Sequence, residues 1–198
     1  MQFGDMLNEI CKVSAIKATT ALAKFLQTPL AVNSTLVEVG QVQDIDVLDD
    51  ATQDTVNIFS PITGSLSGAS FFVFSKQSAL SLCDVLFNRA DRSTLKFSVP
   101  EISALDEVVN IAIGNFLTPF AKSLQLDFLM HQAAVFDCGP LNTKLNEVMS
   151  TKINDNDQNF LKISFEFKHV NIHGYVLIVF DEGKVNTILK NLTCISDT

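Results

Sequence analysis

The sequence has no tryptophan and a single tyrosine, Tyr175, against sixteen phenylalanines. Aromatic bulk without polar handles suits interiors better than exposed stacking platforms. Basic residues are scarce as well. Fourteen Lys and Arg face 22 Asp and Glu, for a formal net charge of −8, and no stretch gathers five or six cations. Nucleic-acid binders need a surplus of Lys and Arg on one surface, so the composition argues against that class. Long apolar runs are missing too. The longest is Tyr175 to Phe180, far short of the roughly 20 residues of a membrane-spanning helix. The first residues include Asp5 and Glu9 and show no cationic segment followed by an apolar stretch, so no secretory signal is read there. Four cysteines (Cys11, Cys83, Cys138 and Cys194) lie far apart with no Cys-x-x-Cys pair, as expected for buried, reduced thiols. Asn33-Ser34-Thr35 and Asn191-Leu192-Thr193 match a glycosylation pattern that means little without secretion. The expectation is an acidic, cytoplasmic protein with no membrane insertion and no nucleic-acid partner.

What is present is a core. The 198 residues are 47% hydrophobic and 18% charged, enough apolar surface for a packed domain. Residues 3–26 have helical periodicity through Ile10, Val13, Leu22 and Phe25, and Pro29 follows the predicted end. Residues 35–47 alternate with β-branched side chains, and five aspartates between Asp44 and Asp54 predict a solvated loop. Strand signals fill residues 56–74, interrupted by a turn predicted between Pro61 and Gly68. Residues 76–87 read as a helix. Pro100-Glu101 opens a longer helix to about Leu126, whose last turns Pro119 is expected to kink or reposition. Strands are predicted near 127–137 and 159–168, with a polar loop over 150–159. A turn at Val170-Asn171 leads to a strand from Ile172 to Phe180 and a last helix over roughly 181–192.

The pattern occurs twice. Gly68-Ala-Ser-Phe-Phe-Val-Phe74 aligns with Gly174-Tyr-Val-Leu-Ile-Val-Phe180, 106 residues later, and each is followed by an amphipathic segment. Glu9 in the first long helix aligns with Glu107 in the second, an offset of 98. A repeat at half the chain length predicts one domain over 1–198 built from two pseudo-symmetric halves, about 1–98 and 99–198. Strands grouped between helices with hairpin-like connections predict an antiparallel α+β fold.

On the second long helix, Ser103, Glu107 and Asn110 stand at i, i+4 and i+7, a polar stripe along one face, and Gly114 follows four residues on. By spacing alone such a stripe can be a solvated face. Ser103-x-x-x-Glu107-x-x-Asn110-x-x-x-Gly114 resembles the active-site signature of the CheC/CheX/FliY chemotaxis phosphatases, in which Asp or Ser is followed by Glu, Asn and Gly at these intervals. The likeness extends to the internal duplication and to Gly64-Ser65-Leu66-Ser67-Gly68 leading into a strand. The length fits a CheC-like protein without the additional carboxy-terminal switch domain of FliY.

The resemblance implies hydrolysis of the aspartyl phosphate of a response regulator, typically CheY. Asn110 would orient the attacking water, Glu107 would dock the regulator, and Ser103 and Gly114 would support the motif. Mg²⁺ would belong to the regulator's site, so no cofactor of this chain's own is implied. An amide offers both donors and an acceptor, which suits it to hold a water in line with phosphorus. The first copy reads Asp5-x-x-x-Glu9-x-x-Lys12-x-x-x-Ile16. Lys12 has donors but no acceptor, and Ile16 adds bulk where the signature has Gly. That face is expected to be catalytically dead, with Asp5, Glu9 and Lys12 serving docking at most. A second function class is a non-catalytic adaptor that binds CheD or another signalling partner.

Three further patterns carry less. His169-x-x-x-His173 has metal spacing but falls in a strand-and-turn region. Asp155-x-Asp157-x-Asn159 begins like a calcium loop, yet Phe160 stands where Gly is needed and Glu166 at its twelfth position lies in a predicted strand. His131 with Asp127 reads as strand decoration.

Overall fold

In the computed structural model, the described residues are 3–27, 36–41, 54–65, 67–90, 93–130, 135–141, 143, 145, 147, 159–167, 172–181 and 188. They form α1 (Phe3–Leu26), β1 (Leu36–Gln41), β2 (Asp54–Thr63), β3 (Gly68–Ser75), α2 (Lys76–Leu86), α3 (Val99–Ser123), β4 (Leu129–Met130), β5 (Val135–Pro140), β6 (Asn159–Phe167) and β7 (Ile172–Phe180). The strands make one antiparallel sheet in the order β1-β6-β7-β3-β2-β4, with β5 also paired to β2. The α+β expectation is met.

The middle of the sheet explains the continuous apolar runs of β3 and β7. Both strands are covered on both faces, so neither needs a polar side. Phe72, Phe74, Val176 and Ile178 join a core built with α1, α2 and α3. Phe71, Val73, Leu177 and Val179 join a second cluster on the opposite face with Leu141 and Leu145. These leucines belong to a helical stretch in which 141, 143, 145 and 147 are described, and which the sequence reading does not contain.

β3 and β7 pair with Gly68 opposite Phe180, Phe71 opposite Leu177 and Phe74 opposite Gly174. Gly68 and Gly174 are the positions the repeat superimposes, as are Phe71 and Leu177. The register is therefore centred on its own repeat. Outward from that centre, β6 and β2 flank the pair, then β1 and β5. The two glycines are required by close approach. A side chain at Gly68 would begin 2.0 Å from the Val179 carbonyl oxygen, and one at Gly174 would begin 2.4 Å from that of Val73.

The long helices pack side by side on the sheet and carry the same 98-residue offset. Leu7, Cys11, Ala15 and Leu22 of α1 are buried, and so are their counterparts Leu105, Val109, Ile113 and Phe120 of α3. Each helix is followed by a glutamine with left-handed backbone, Gln27 at φ 50° and Gln125 at φ 53°.

Several expectations are corrected. Pro61 lies inside β2, not in a turn; the reversal is confined to residues 64–67. Pro61 pairs with Ala69 of β3, and on the other side of β2 it falls in a gap, because β5 reaches only Phe59 and β4 begins only at Ile62. The segment 127–137 splits into β4 and β5, and β5 runs on to Pro140. Helix α3 contains Pro119 as expected but ends at Ser123, short of Leu126. Near the break in its ladder, Thr118 donates to the Gly114 carbonyl at 2.7 Å and Asn115 to that of Ile111 at 2.8 Å. Cys11 and Cys83 are buried, and burial pushes both thiols up to about 12, but Cys138 is exposed. Most of the aspartate-rich segment, the 150–158 loop, His131, His169, Cys194 and nearly all of 181–192 lie outside the described residues; Ile188 is helical and buried. No helix among the described residues is long and apolar enough to cross a membrane.

Candidate active site

The start of α3 is fixed before the motif begins. Ser98 caps the helix and donates its backbone N–H to Glu101 Oε2 at 3.1 Å, while its hydroxyl also meets that oxygen. Arg89 Nη1 donates to Glu101 Oε1 at 2.8 Å and to Thr94 Oγ1 at 3.0 Å. Thr94 in turn donates its hydroxyl and its N–H to Asp84 Oδ1 at 2.6 and 2.8 Å. Asp84, Thr94 and Glu101 are all buried. Hydrogen bonds from Ser98 and Arg89 hold the Glu101 carboxyl down at about 2. For Asp84, burial pushes the carboxyl up, but hydrogen bonds from Thr94 and Ser93 outweigh it and leave it below the ordinary value. This buried polar network ties the segment after α2 to the first turn of α3.

On that anchored helix the motif residues share one face. Ser103 and Glu107 are exposed, and Asn110 and Gly114 are partly exposed. Residues three or four apart on a helix place their Cβ atoms about 5–6 Å from each other, so the Glu107 carboxylate and the Asn110 amide can engage one bound group. Glu107 forms no ion pair with any described residue. At Gly114 the nearest atom to an added Cβ is Met130 Cε at 3.7 Å, an ordinary contact. Packing among the described residues therefore leaves room for a methyl group there, and the glycine keeps the surface low beside Asn110.

The corresponding face of α1 differs. Lys12 Nζ binds Glu9 Oε1 at 2.7 Å, so the carboxylate matching Glu107 is held by the residue matching Asn110. Ile16, at the glycine position, is 64% exposed, and Val13 beside it is 51% exposed. Asp5 lies on α1, and its side chain is outside the described residues.

Asp106 was not singled out by spacing, yet it stands one turn before Asn110. Its Oδ1 is buried with no hydrogen-bond partner among the described residues, and burial pushes its carboxyl above the ordinary value. The signal available in the sequence was an acidic residue beside the apolar face. Between α1, α3 and the sheet runs an apolar cleft of about 40 Å³, lined by Ala15, Leu22, Phe72, Ala112 and Phe116 among others. It contains no titratable side chain. Among the described residues no group of His, Cys, Asp and Glu has the arrangement of a metal site, and His173 is a lone exposed imidazole.

No protein-family model matches the chain. Solved structures do match over nearly its whole length. Thermotoga maritima FliY superimposes with a TM-score of 0.74 at 15% identity, covering 96% of this chain and 94% of that one. The fold is CheC/CheX/FliY-like. Helicobacter pylori FliM, from a FliM–SpeE complex, gives 0.66 at 10% identity over 96% and 94%. The CheX–CheY–BeF3–Mg²⁺ complex from Borrelia burgdorferi gives 0.51 at 16% identity over 87% and 98%. In this CheC/CheX/FliY-like frame α3 is one of two equivalent long helices, and it alone carries the full Ser, Glu, Asn and Gly spacing.

Proposed function

We propose that this chain is a phosphatase acting on the aspartyl phosphate of a response-regulator receiver domain, with CheY as the expected type of substrate. The observation that carries the reading is the α3 face on which Ser103, Glu107, Asn110 and Gly114 align, with Glu107 exposed and Asn110 and Gly114 partly exposed. The fold shared with FliY and CheX supports it. In this reading Asn110 enters the regulator's site and its amide holds a water in line with the phosphorus. Its carbonyl oxygen accepts from the water, and its N–H donates toward phosphoryl oxygen or water. Water attacks phosphorus, the bond to the aspartate oxygen breaks, and a carboxylate and inorganic phosphate leave. Glu107 pairs with a cation beside that site and fixes the approach angle. The regulator supplies Mg²⁺, which neutralises charge on the transferring group.

Positioning of this kind is worth about 100-fold in rate when lost. Phosphate release from a phosphorylated CheY-type regulator is therefore expected to fall at least about that much in Asn110→Ala. The double variant Lys12→Ala/Ile16→Ala should keep nearly the full wild-type rate. Loss of half the rate or more in the double variant would show that the α1 face works too.

The FliM complexes with SpeE and FliG, which share this fold, favour a second reading. In it the chain is a non-catalytic adaptor that docks a signalling partner such as CheD. Regulator binding without any acceleration of phosphate release would select it.

A further inference from the structure

The stripe on α3 does not stop at Ser103. Val99, the first residue of the helix, lies four positions earlier, so 99, 103, 107, 110 and 114 fall on one line. Val99 is 77% exposed, and Leu95, in the segment leading into the helix, is 82% exposed. A single exposed aliphatic needs no explanation. These two are different because of what holds them. Leu95 follows Thr94 and Val99 stands two residues before Glu101, and both of those neighbours are buried and tied through Arg89 and Asp84 into one hydrogen-bonded network that braces the backbone on both sides of Ser98. Exposed apolar groups on a braced segment are preorganised for a partner, because little ordering cost remains to be met on binding.

Resting on the phosphatase reading, we infer that Val99, with Leu95, is a seat for the body of the receiver domain. It acts in docking and takes no part in the chemistry. Eleven residues of helix separate Val99 from Asn110, about 16 Å of axial rise. A small acyl phosphate at Asn110 cannot reach that far, whereas a folded domain can. The partner surface is thus an apolar patch about 16 Å from the phosphorylated aspartate.

The test compares wild type with Val99→Asp, Val99→Ala and Asn110→Ala. Binding to a BeF3⁻- and Mg²⁺-loaded receiver domain is measured, together with KM and kcat for the phosphorylated domain. An aspartate at the first helical position is compatible with the helix dipole, so folding is retained. Val99→Asp should weaken binding and raise KM about tenfold, the cost of a charge set against an apolar seat, while kcat at saturation stays near wild type. Val99→Ala should fall between the two. Asn110→Ala should show the opposite split, with kcat lost and binding kept. Ile16→Asp, a change at another exposed aliphatic residue on α1, should alter neither quantity. Unchanged KM and binding in Val99→Asp would overturn this inference and leave the phosphatase reading standing. A wild-type chain that neither binds nor dephosphorylates the receiver would remove both.

Discussion

Asp106 keeps a carboxylate oxygen buried without a described partner, one turn from the amide on which the proposed chemistry depends. Its carboxyl is raised by burial, so its charged form is disfavoured in the folded chain. Whatever stability the protonated form offers is present at low pH and is lost as pH rises through the folded value. Asp106→Asn keeps the shape without the charge, and at pH 7 its Tm is expected to equal or exceed that of wild type; a clear drop would show a charge-dependent partner for Asp106. At this scale the sequence was partly legible. The spacing of Ser103, Glu107, Asn110 and Gly114 predicts a shared helix face, and the structure places them on one; that the stripe is a site comes from the resemblance and not from the spacing. The burial of Asp106 was not legible, because it depends on which side of α3 meets its neighbours. Nor was the exposure of Cys138, since a cysteine's type predicts burial and not its place in a strand.

At the scale of elements, the amino-terminal end of α3 is held by charge. Hydrogen bonds bring Glu101 from 4.5 to about 2, and Asp84 is lowered as well. A depressed carboxyl stabilises the fold above its unfolded value and loses that contribution as pH falls toward its folded one. Stability should therefore drop between pH 4.5 and about 2. Glu101→Gln should be less stable than wild type at pH 7 and flatter across that window, as read by thermal unfolding at a series of pH values. An equally steep acid slope in the variant would place the loss elsewhere. The long helices were legible, α3 with its end placed three residues late, because their apolar residues recur with the helical period over more than twenty positions. The helical stretch around Leu141 and Leu145 was not. Only those two leucines mark it, among Asn, Thr and Lys, and its reason to form is the second face of the sheet. Pro61 misled for a similar reason, since it marks a turn unless the neighbouring edge happens to have a gap.

For the whole molecule, the joint between β3 and β7 is where substitution should be least tolerated. Gly68→Ala sets a methyl group 2.0 Å from a carbonyl oxygen on a backbone with φ +155°. Strain and overpacking together should cost at least about 3 kcal/mol, measurable by denaturant unfolding; a cost below about 1 kcal/mol would mean that the two strands can separate locally without loss.

The strand order has another consequence. β1 is paired to β6 and β5 to β2, so each half of the chain hands its outermost strand to the other. Neither half closes a sheet alone. A half-length polypeptide with these strands could complete this sheet only as two copies exchanging strands about an axis at Phe71 and Leu177. Within one chain the two long helices are free to differ. One long helix carries Asn110 and Gly114 where the other has Lys12 and Ile16, while matching positions on the inner side of both are buried. The inequality of the two faces is a freedom that a symmetric pair of chains would not have.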